Sequence, residues 1–232
     1  MKSWSLRSTA SAACAAAALI LFSVPAAAQP GDSGSSAPSF IPPGFPCIPA
    51  SVTPLLPWGW GPLDGGAPRY AKGTDTSGAG WLDLYAPPGG RTNYFHPGIN
   101  TALRDLAGSA DSLSFRHQGQ YTSFQLRLRG ANRTDDPTGF TTLVWWPPAN
   151  GHAGENGWAT TALTDGQWWS TKPIEGLAGE QDATATLSEI AEANPHAFVT
   201  EYGVSNDSGN GAADDVVYGC ARWDFEPVPS GS

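Results

Sequence analysis

Residues 121–129 read Tyr-Thr-Ser-Phe-Gln-Leu-Arg-Leu-Arg, and no other stretch limits the possible fold as tightly. Successive side chains of a strand point to opposite faces. Phe124, Leu126 and Leu128 therefore share one face, while Gln125, Arg127 and Arg129 share the other. On a helix both sets would be scattered around the axis. The run fits a sheet with one packed face and one wet face. Residues 81–85 repeat the pattern, with Leu82 and Leu84 opposite Trp81 and Tyr85. Residues 112–117, 140–146, 158–163, 167–171 and 198–204 also read as strands, separated by loops of Gly, Asn, Asp and Pro. Many short strands with turn chemistry between them predict a sandwich or barrel of antiparallel sheets.

The end of the chain closes that unit. Asp214-Asp215-Val216-Val217-Tyr218 and Ala221-Arg222-Trp223-Asp224-Phe225 read as two strands joined by a tight bend at Gly219. Val216 and Tyr218 fall on one face of the first, and Trp223 and Phe225 on one face of the second. Two short helical pieces interrupt the strands. Thr186-Leu187-Ser188-Glu189 is a capping box, in which hydroxyl and carboxylate each take the other residue's backbone N–H. Leu187, Ile190 and Ala191 then form one apolar face, and Asn194-Pro195 stops the helix. Residues 101–107 predict a second turn or two, ended by Gly108.

From about Leu103 onward these pieces come in a recognisable order. Leu106-Ala107 leads into Ser112-Leu113-Ser114-Phe115, then Gly139-Phe140-Thr141-Thr142-Leu143-Val144. Gln167-Trp168-Trp169-Ser170-Thr171, the Leu187 helix and Tyr202-Gly203-Val204 follow, before Asp214-Asp215-Val216 and Trp223-Asp224-Phe225-Glu226. The series resembles a domain of uncharacterised function that recurs in secreted proteins of actinobacteria. Its closing pair is similar to the end of laminin-G-like and other lectin-like sandwiches. The resemblance covers roughly the last 125 residues and leaves out Trp58-Gly59-Trp60. It implies an all-β fold, an antiparallel two-sheet sandwich of the concanavalin-like or jelly-roll kind with one or two short helices. No catalytic residue is carried over.

The N-terminal segment has the pattern of a secretory signal peptide over residues 1–28. Lys2 and Arg7 give a positive start, residues 15–24 are apolar, and Ala26 and Ala28 have the spacing a signal peptidase accepts. The apolar run is too short to stay as a spanning helix, and no later stretch is long enough. Cys14 is expected to leave with the signal. Residues 29–46 are rich in Pro, Gly and Ser and are expected to be a disordered leader, with a flexible tail at residues 228–232. Residues 47–227 then form one domain. The pair Cys47 and Cys220 favours a disulfide in an oxidising compartment, the alternative being two buried thiols. Closing so long a loop is worth roughly 4–5 kcal/mol in the chain-entropy picture.

Without Lys2 and Arg7 the chain holds 10 basic against 21 acidic residues, and the net charge falls from −9 to −11. Nucleic acids and anionic membranes need clustered Lys and Arg, so both are excluded as partners. His96, His117, His152 and His196 show no metal-ligand spacing. There is no nucleophile elbow and no phosphate-cradling loop. Asp224 and Glu226 share a strand face as paired carboxylates do in glycoside hydrolases, but Pro227 follows at the domain end, where a structural use is expected. Asp207, Asn210, Asp214 and Asp215 lie on a Gly-rich loop and supply hard oxygen ligands suited to calcium; the same residue types make ordinary turns.

Tryptophan carries the functional signal. Nine of the ten lie beyond residue 28. In Trp145-Trp146 and Trp168-Trp169, one indole of each pair must face outward if the other faces the core. Trp58-Gly59-Trp60 adds two more on a loop. An outward indole is either covered by the chain or used to stack a ligand, and the apolar C–H faces of sugar rings stack on such rings. The ligand-binding candidates are Trp58, Trp60, Trp145, Trp146, Trp168 and Trp169. The expectation is a secreted, non-catalytic β-sandwich that binds carbohydrate or a cell-envelope component. An extracellular structural or protein-interaction module is the alternative, and a glycoside hydrolase resting on Asp224 and Glu226 is the third reading.

Overall fold

A computed structural model of the protein describes residues 49–73, 78–133, 135–152 and 157–228. The chain divides into two units, Met1–Pro38 and Ser39–Ser232, and only the second contains described residues. The expected signal peptide, the leader, Cys47 and the last residues of the tail lie outside them.

The elements in chain order are β1 (Pro49–Val52), β2 (Arg69–Lys72), β3 (Gly80–Asp83), β4 (Thr92–Ala102), α1 (Leu103–Ala107), β5 (Leu113–Gln118) and β6 (Thr122–Arg129). They continue with β7 (Thr141–Trp145), β8 (Ala159–Ala162), β9 (Gln167–Ser170), β10 (Ala185–Thr186), α2 (Leu187–Ala193), β11 (Phe198–Asn206), β12 (Ala212–Tyr218) and β13 (Ala221–Phe225). They build an all-β sandwich. One sheet has seven strands: the path β1-β13-β12-β3-β2, with β5 on β12 and β8 on β5. The other has six, in the order β10-β9-β7-β6-β11-β4. Every named pair is antiparallel except β1 and β13, which run parallel with Pro49 opposite Arg222 and Val52 opposite Phe225. No helix among the described residues is long and apolar enough to cross a membrane.

The alternation of β6 sets the inside of the six-stranded sheet. Phe124, Leu126 and Leu128 are fully buried and meet Leu143 and Trp145 of β7, Trp168 of β9, and Tyr202 and Val204 of β11. The seven-stranded sheet contributes Val52, Leu82, Leu113, Phe115, Ala213, Val216 and Phe225 to the same core. The helices plug it with Leu103, Leu106, Leu187 and Ile190. The capping box of α2 is formed as its sequence requires: Glu189 Oε2 accepts from Thr186 N at 2.8 Å and Thr186 Oγ1 from Glu189 N at 3.3 Å. Buried Asn194 ends that helix, and its amide donates to Ile190 O and Glu175 O.

Trp60 knits the two sheets together. Its ring stacks on Tyr94 at 5.6 Å and meets His96 and Tyr202, all from the six-stranded sheet. It also meets Trp223 at 6.1 Å and Phe225 at 5.0 Å, from the seven-stranded sheet. Aromatic pairs at such separations add roughly 0.5–1.5 kcal/mol each beyond their buried area. His96 fastens the loop from outside: its ring nitrogens lie 2.6 Å from Pro97 O and 2.9 Å from Trp58 O.

Gly219 turns the closing hairpin with φ +60, and Cys220 follows it, two residues before Arg222. Just upstream, Asp215 has φ +47 and the register of β12 on β5 shifts between Asp214 and Val217. Asp214 is thereby turned inside, where Oδ1 accepts the Phe225 N–H at 2.9 Å and Arg116 Nη1 stands 3.8 Å from Oδ2.

Tyr202 and Tyr218 stack face to face at 3.9 Å inside this core. Burial pushes the Tyr218 phenol up to about 12 and the Tyr202 phenol above its ordinary value of 10.0 as well. Above pH 10 the unfolded chain releases these protons while the folded chain keeps them, so stability falls as pH rises. The expected slope is about 1.4 kcal/mol per pH unit for each phenol. Urea midpoints followed upward from neutral pH should drop once the solution passes this point, and Tyr202→Phe with Tyr218→Phe should flatten the decline.

Candidate functional site

The two Trp-Trp pairs split between core and surface. Trp145 is buried, its ring 5.5 Å from Phe115 and 5.4 Å from His117. Trp168 is buried too, with Nε1 donating to Leu163 O at 3.1 Å. Their neighbours Trp146 and Trp169 point the other way and are half-buried. Both line one cleft of about 280 Å³, with Tyr121, Ser123, Val144 and Gln181 around them.

A second cleft of about 240 Å³ continues across the outer face of the six-stranded sheet. It shares Val144, Trp169 and Asp207 with the first. Its floor comes from Phe95, Gln125, Arg127 and Thr142, all on the face of their strands that turns away from the core. Gly203 makes room for this floor. A Cβ at Gly203 would collide with Tyr94 O and stand 2.9 Å from Phe95 Cδ1, so only glycine lets the Phe95 ring lie across β11.

The charges of this groove come already paired. Arg91 Nε donates to Asp207 Oδ1 at 2.7 Å, and Arg127 Nε lies 3.0 Å from Glu201 Oε2. The Arg127 guanidinium also lies 5.1 Å from the Phe140 ring. Asp64 accepts from Asn93 Nδ2 at 2.8 Å, and Asn93 Oδ1 takes the Leu63 N–H. Such a surface offers fixed donors and acceptors next to apolar rings, with both of its guanidiniums held by carboxylates. Its chemistry suits a neutral, hydroxyl-rich ligand with an apolar face.

Of the six tryptophans expected to bind ligand, the structure brings Trp146 and Trp169 together. Trp60, Trp145 and Trp168 belong to the core, where packing partners on both sheets leave no ring face to a ligand. Trp58 is about half exposed but stands on the Trp60 loop, with Nε1 donating to Ser51 O, apart from the residues that line the groove.

The expected calcium ligands do not converge. Asp207 holds Arg91, Asp215 holds Arg222 at 3.1 Å, and Asp214 is turned into the core toward Phe225 N. Asn210 lines a cleft beside Asp83 and Gln118. Among the described residues no three His, Cys, Asp or Glu side chains gather as a metal would require. The residues make turns and ion pairs instead. Asp224 and Glu226 both flank Gly78, and Glu226 Oε1 accepts the Ala79 N–H at 2.8 Å. That is the structural use expected next to Pro227, on the sheet opposite the groove. His117 and His152 do meet, with ring centroids 6.0 Å apart, a proximity their sequence spacing hides.

Sequence reasoning missed Phe95, because β4 was not recognisable as a strand, and Asp64 and Arg91, which lie outside the strands and meet partners 29 and 116 residues away. Gln125 and Arg127 were visible as the wet face of residues 121–129, though not as a binding floor. Comparison with known proteins finds no matching family model, no matching curated protein and no matching solved structure.

The two indoles of each pair should separate cleanly in measurement. Trp145→Ala and Trp168→Ala should each cost about 3–5 kcal/mol of stability as core truncations. Trp146→Ala and Trp169→Ala should leave the urea midpoint much closer to that of the parent. Equal losses across all four would contradict the division between core and groove.

Proposed function

We propose that this chain is an exported β-sandwich that binds neutral carbohydrate in the groove on the outer face of its six-stranded sheet. The observation that carries the reading is the pair of half-buried indoles, Trp146 and Trp169, opening into one cleft. Indole faces stack the C–H faces of sugar rings, and the pre-paired Arg91–Asp207 and Arg127–Glu201 groups offer hydroxyls both donors and acceptors. A net charge of −11 without residues 1–28 disfavours polyanions. No catalytic step is assigned to any residue. Export rests on the signal-peptide pattern of residues 1–28, and the likeness to lectin-like sandwiches of secreted actinobacterial proteins agrees with it.

A second reading, an extracellular protein-interaction module, has its own support. Leu55, Leu56, Trp58 and Leu63 are exposed on a single loop segment. A scatter of that size on one loop is more than solubility favours.

The mature chain should bind at least one neutral polysaccharide on a glycan array or in a pull-down. Trp169→Ala and Trp146→Ala should each weaken that binding by about thirty-fold, the usual cost of a central aromatic contact. A flat array, or binding that both variants retain in full, rejects the carbohydrate reading. Retained binding to a protein partner that disappears in Leu55→Ser/Leu56→Ser would favour the second one.

The Cys47–Cys220 disulfide is part of the same proposal. The pairing rests on the even pair of cysteines left once residues 1–28 are removed. Peptide mapping of the unreduced protein should recover one linked pair, and reduction should lower stability by about 4–5 kcal/mol. Two alkylatable thiols in the native protein would rule the bridge out.

A further inference from the structure

We propose that the ligand is an extended, unbranched glycan chain that leaves the outer face, passes over the rim of the sandwich and enters a second subsite there. This inference rests on the carbohydrate reading and goes further, assigning a second site and the form of the ligand.

The rim is where the chain crosses between sheets. Residues 119–121 link β5 to β6, and residues 207–211 link β11 to β12. Between these two crossings and β3 lies a cleft of about 630 Å³. That is within the range of small-molecule sites, roughly 300–1,000 Å³. Tyr121 and Ser208 line this cleft and also the Trp146–Trp169 cleft, so the two adjoin across these residues. A path along them then continues through Val144, Trp169 and Asp207 onto the outer face.

The chemistry repeats along the path. The rim cleft has ring faces from Trp81 and from exposed Tyr121, as the outer cleft has Trp146 and Trp169. Around them stand the amides of Gln118, Gln120 and Asn210 and the carboxylate of Asp83. Amides both donate and accept, as sugar hydroxyls do. Neither Lys nor Arg lines this cleft, so no cationic side chain is there to hold an anion. A peptide is disfavoured for a different reason. Beneath the groove β6 and β7 are paired on both sides, and the edge of β4 at Phe95 is already bridged to Gly61, which leaves no free edge there for strand addition.

The rim is built to hold its shape. Asn206 is buried, and its Nδ2 donates to Leu84 O, Ser208 O and Gly209 O within 3.2 Å. Gly209 and Gly211 hydrogen-bond backbone to backbone with Ala86 and Leu84. A Cβ at Gly119, with φ +99, would stand 2.6 Å from Asn210 O, so the two crossings press together backbone on backbone. A site held in this way is ordered before the ligand arrives, which lowers the entropic cost of binding.

Chain length supplies the test. Cello-, xylo- and chito-oligosaccharides from disaccharide to octasaccharide would be titrated into the mature protein by calorimetry. Affinity in the recognised series should rise by about tenfold or more with length and then level off, as a second subsite is engaged from the first. In Trp81→Ala the longest chains should bind no better than the short ones, while the short ones keep their affinity. Gln120→Ala, at an exposed position, should weaken only the long chains and guards against loss of fold in Trp81→Ala. Trp169→Ala should weaken short and long chains alike. If Trp169→Ala abolishes binding but the rim variants keep full long-chain affinity, the second subsite is wrong and the carbohydrate reading stands. If no series binds, both fall together.

Discussion

Two neighbouring residues of a strand cannot share a face, and this molecule uses that constraint twice. In Trp145-Trp146 and Trp168-Trp169 the first indole fills the core and the second faces the groove. β7 and β9 are adjacent, and Trp145 pairs with Trp168 in register, so the two inward rings meet one side of the sheet together. The same register brings the outward rings into one cleft. The core packing and the shape of the groove are therefore set by a single alignment. A slip of one residue between these strands would exchange the two roles and lose both.

Around that alignment the structure is stiffened where it needs to be. Trp60 ties β4 and β11 to β13 through a cluster of rings, and Asn206 binds the rim crossings to the segment after β3. On the outer face Gly203 leaves room for the close approach of Phe95, which a Cβ there would obstruct. The ion pairs Arg91–Asp207 and Arg127–Glu201 hold long side chains that would otherwise sweep the groove. Both pairs are partly exposed, so they matter for shape more than for stability.

Much of this was legible in the amino-acid order because it is local. The alternation of residues 121–129, the capping box at Thr186 and Glu189, and the bend at Gly219 depend on residues a few positions apart. Each appears in the structure within a residue or two of its expected place. β4 was not legible, because Pro97 and Gly98 interrupt its pattern. It is tolerated as an edge strand, which can do without a proline N–H, opposite a register shift in β11. With β4 hidden, Phe95 could not be assigned to a face. The acidic loop was misleading for the opposite reason: Asp207 looks free beside its sequence neighbours, while its partner Arg91 is 116 residues away. Trp60 shows the same limit, since nothing nearby in sequence marks it as core and Trp58 as surface.

The parallel pairing of β1 with β13 has a mechanical consequence. A pull on the chain before Pro49 and another after Phe225 draw the two strands along each other in opposite directions. The hydrogen bonds between them are then strained all at once, in shear, and cannot be unzipped one by one.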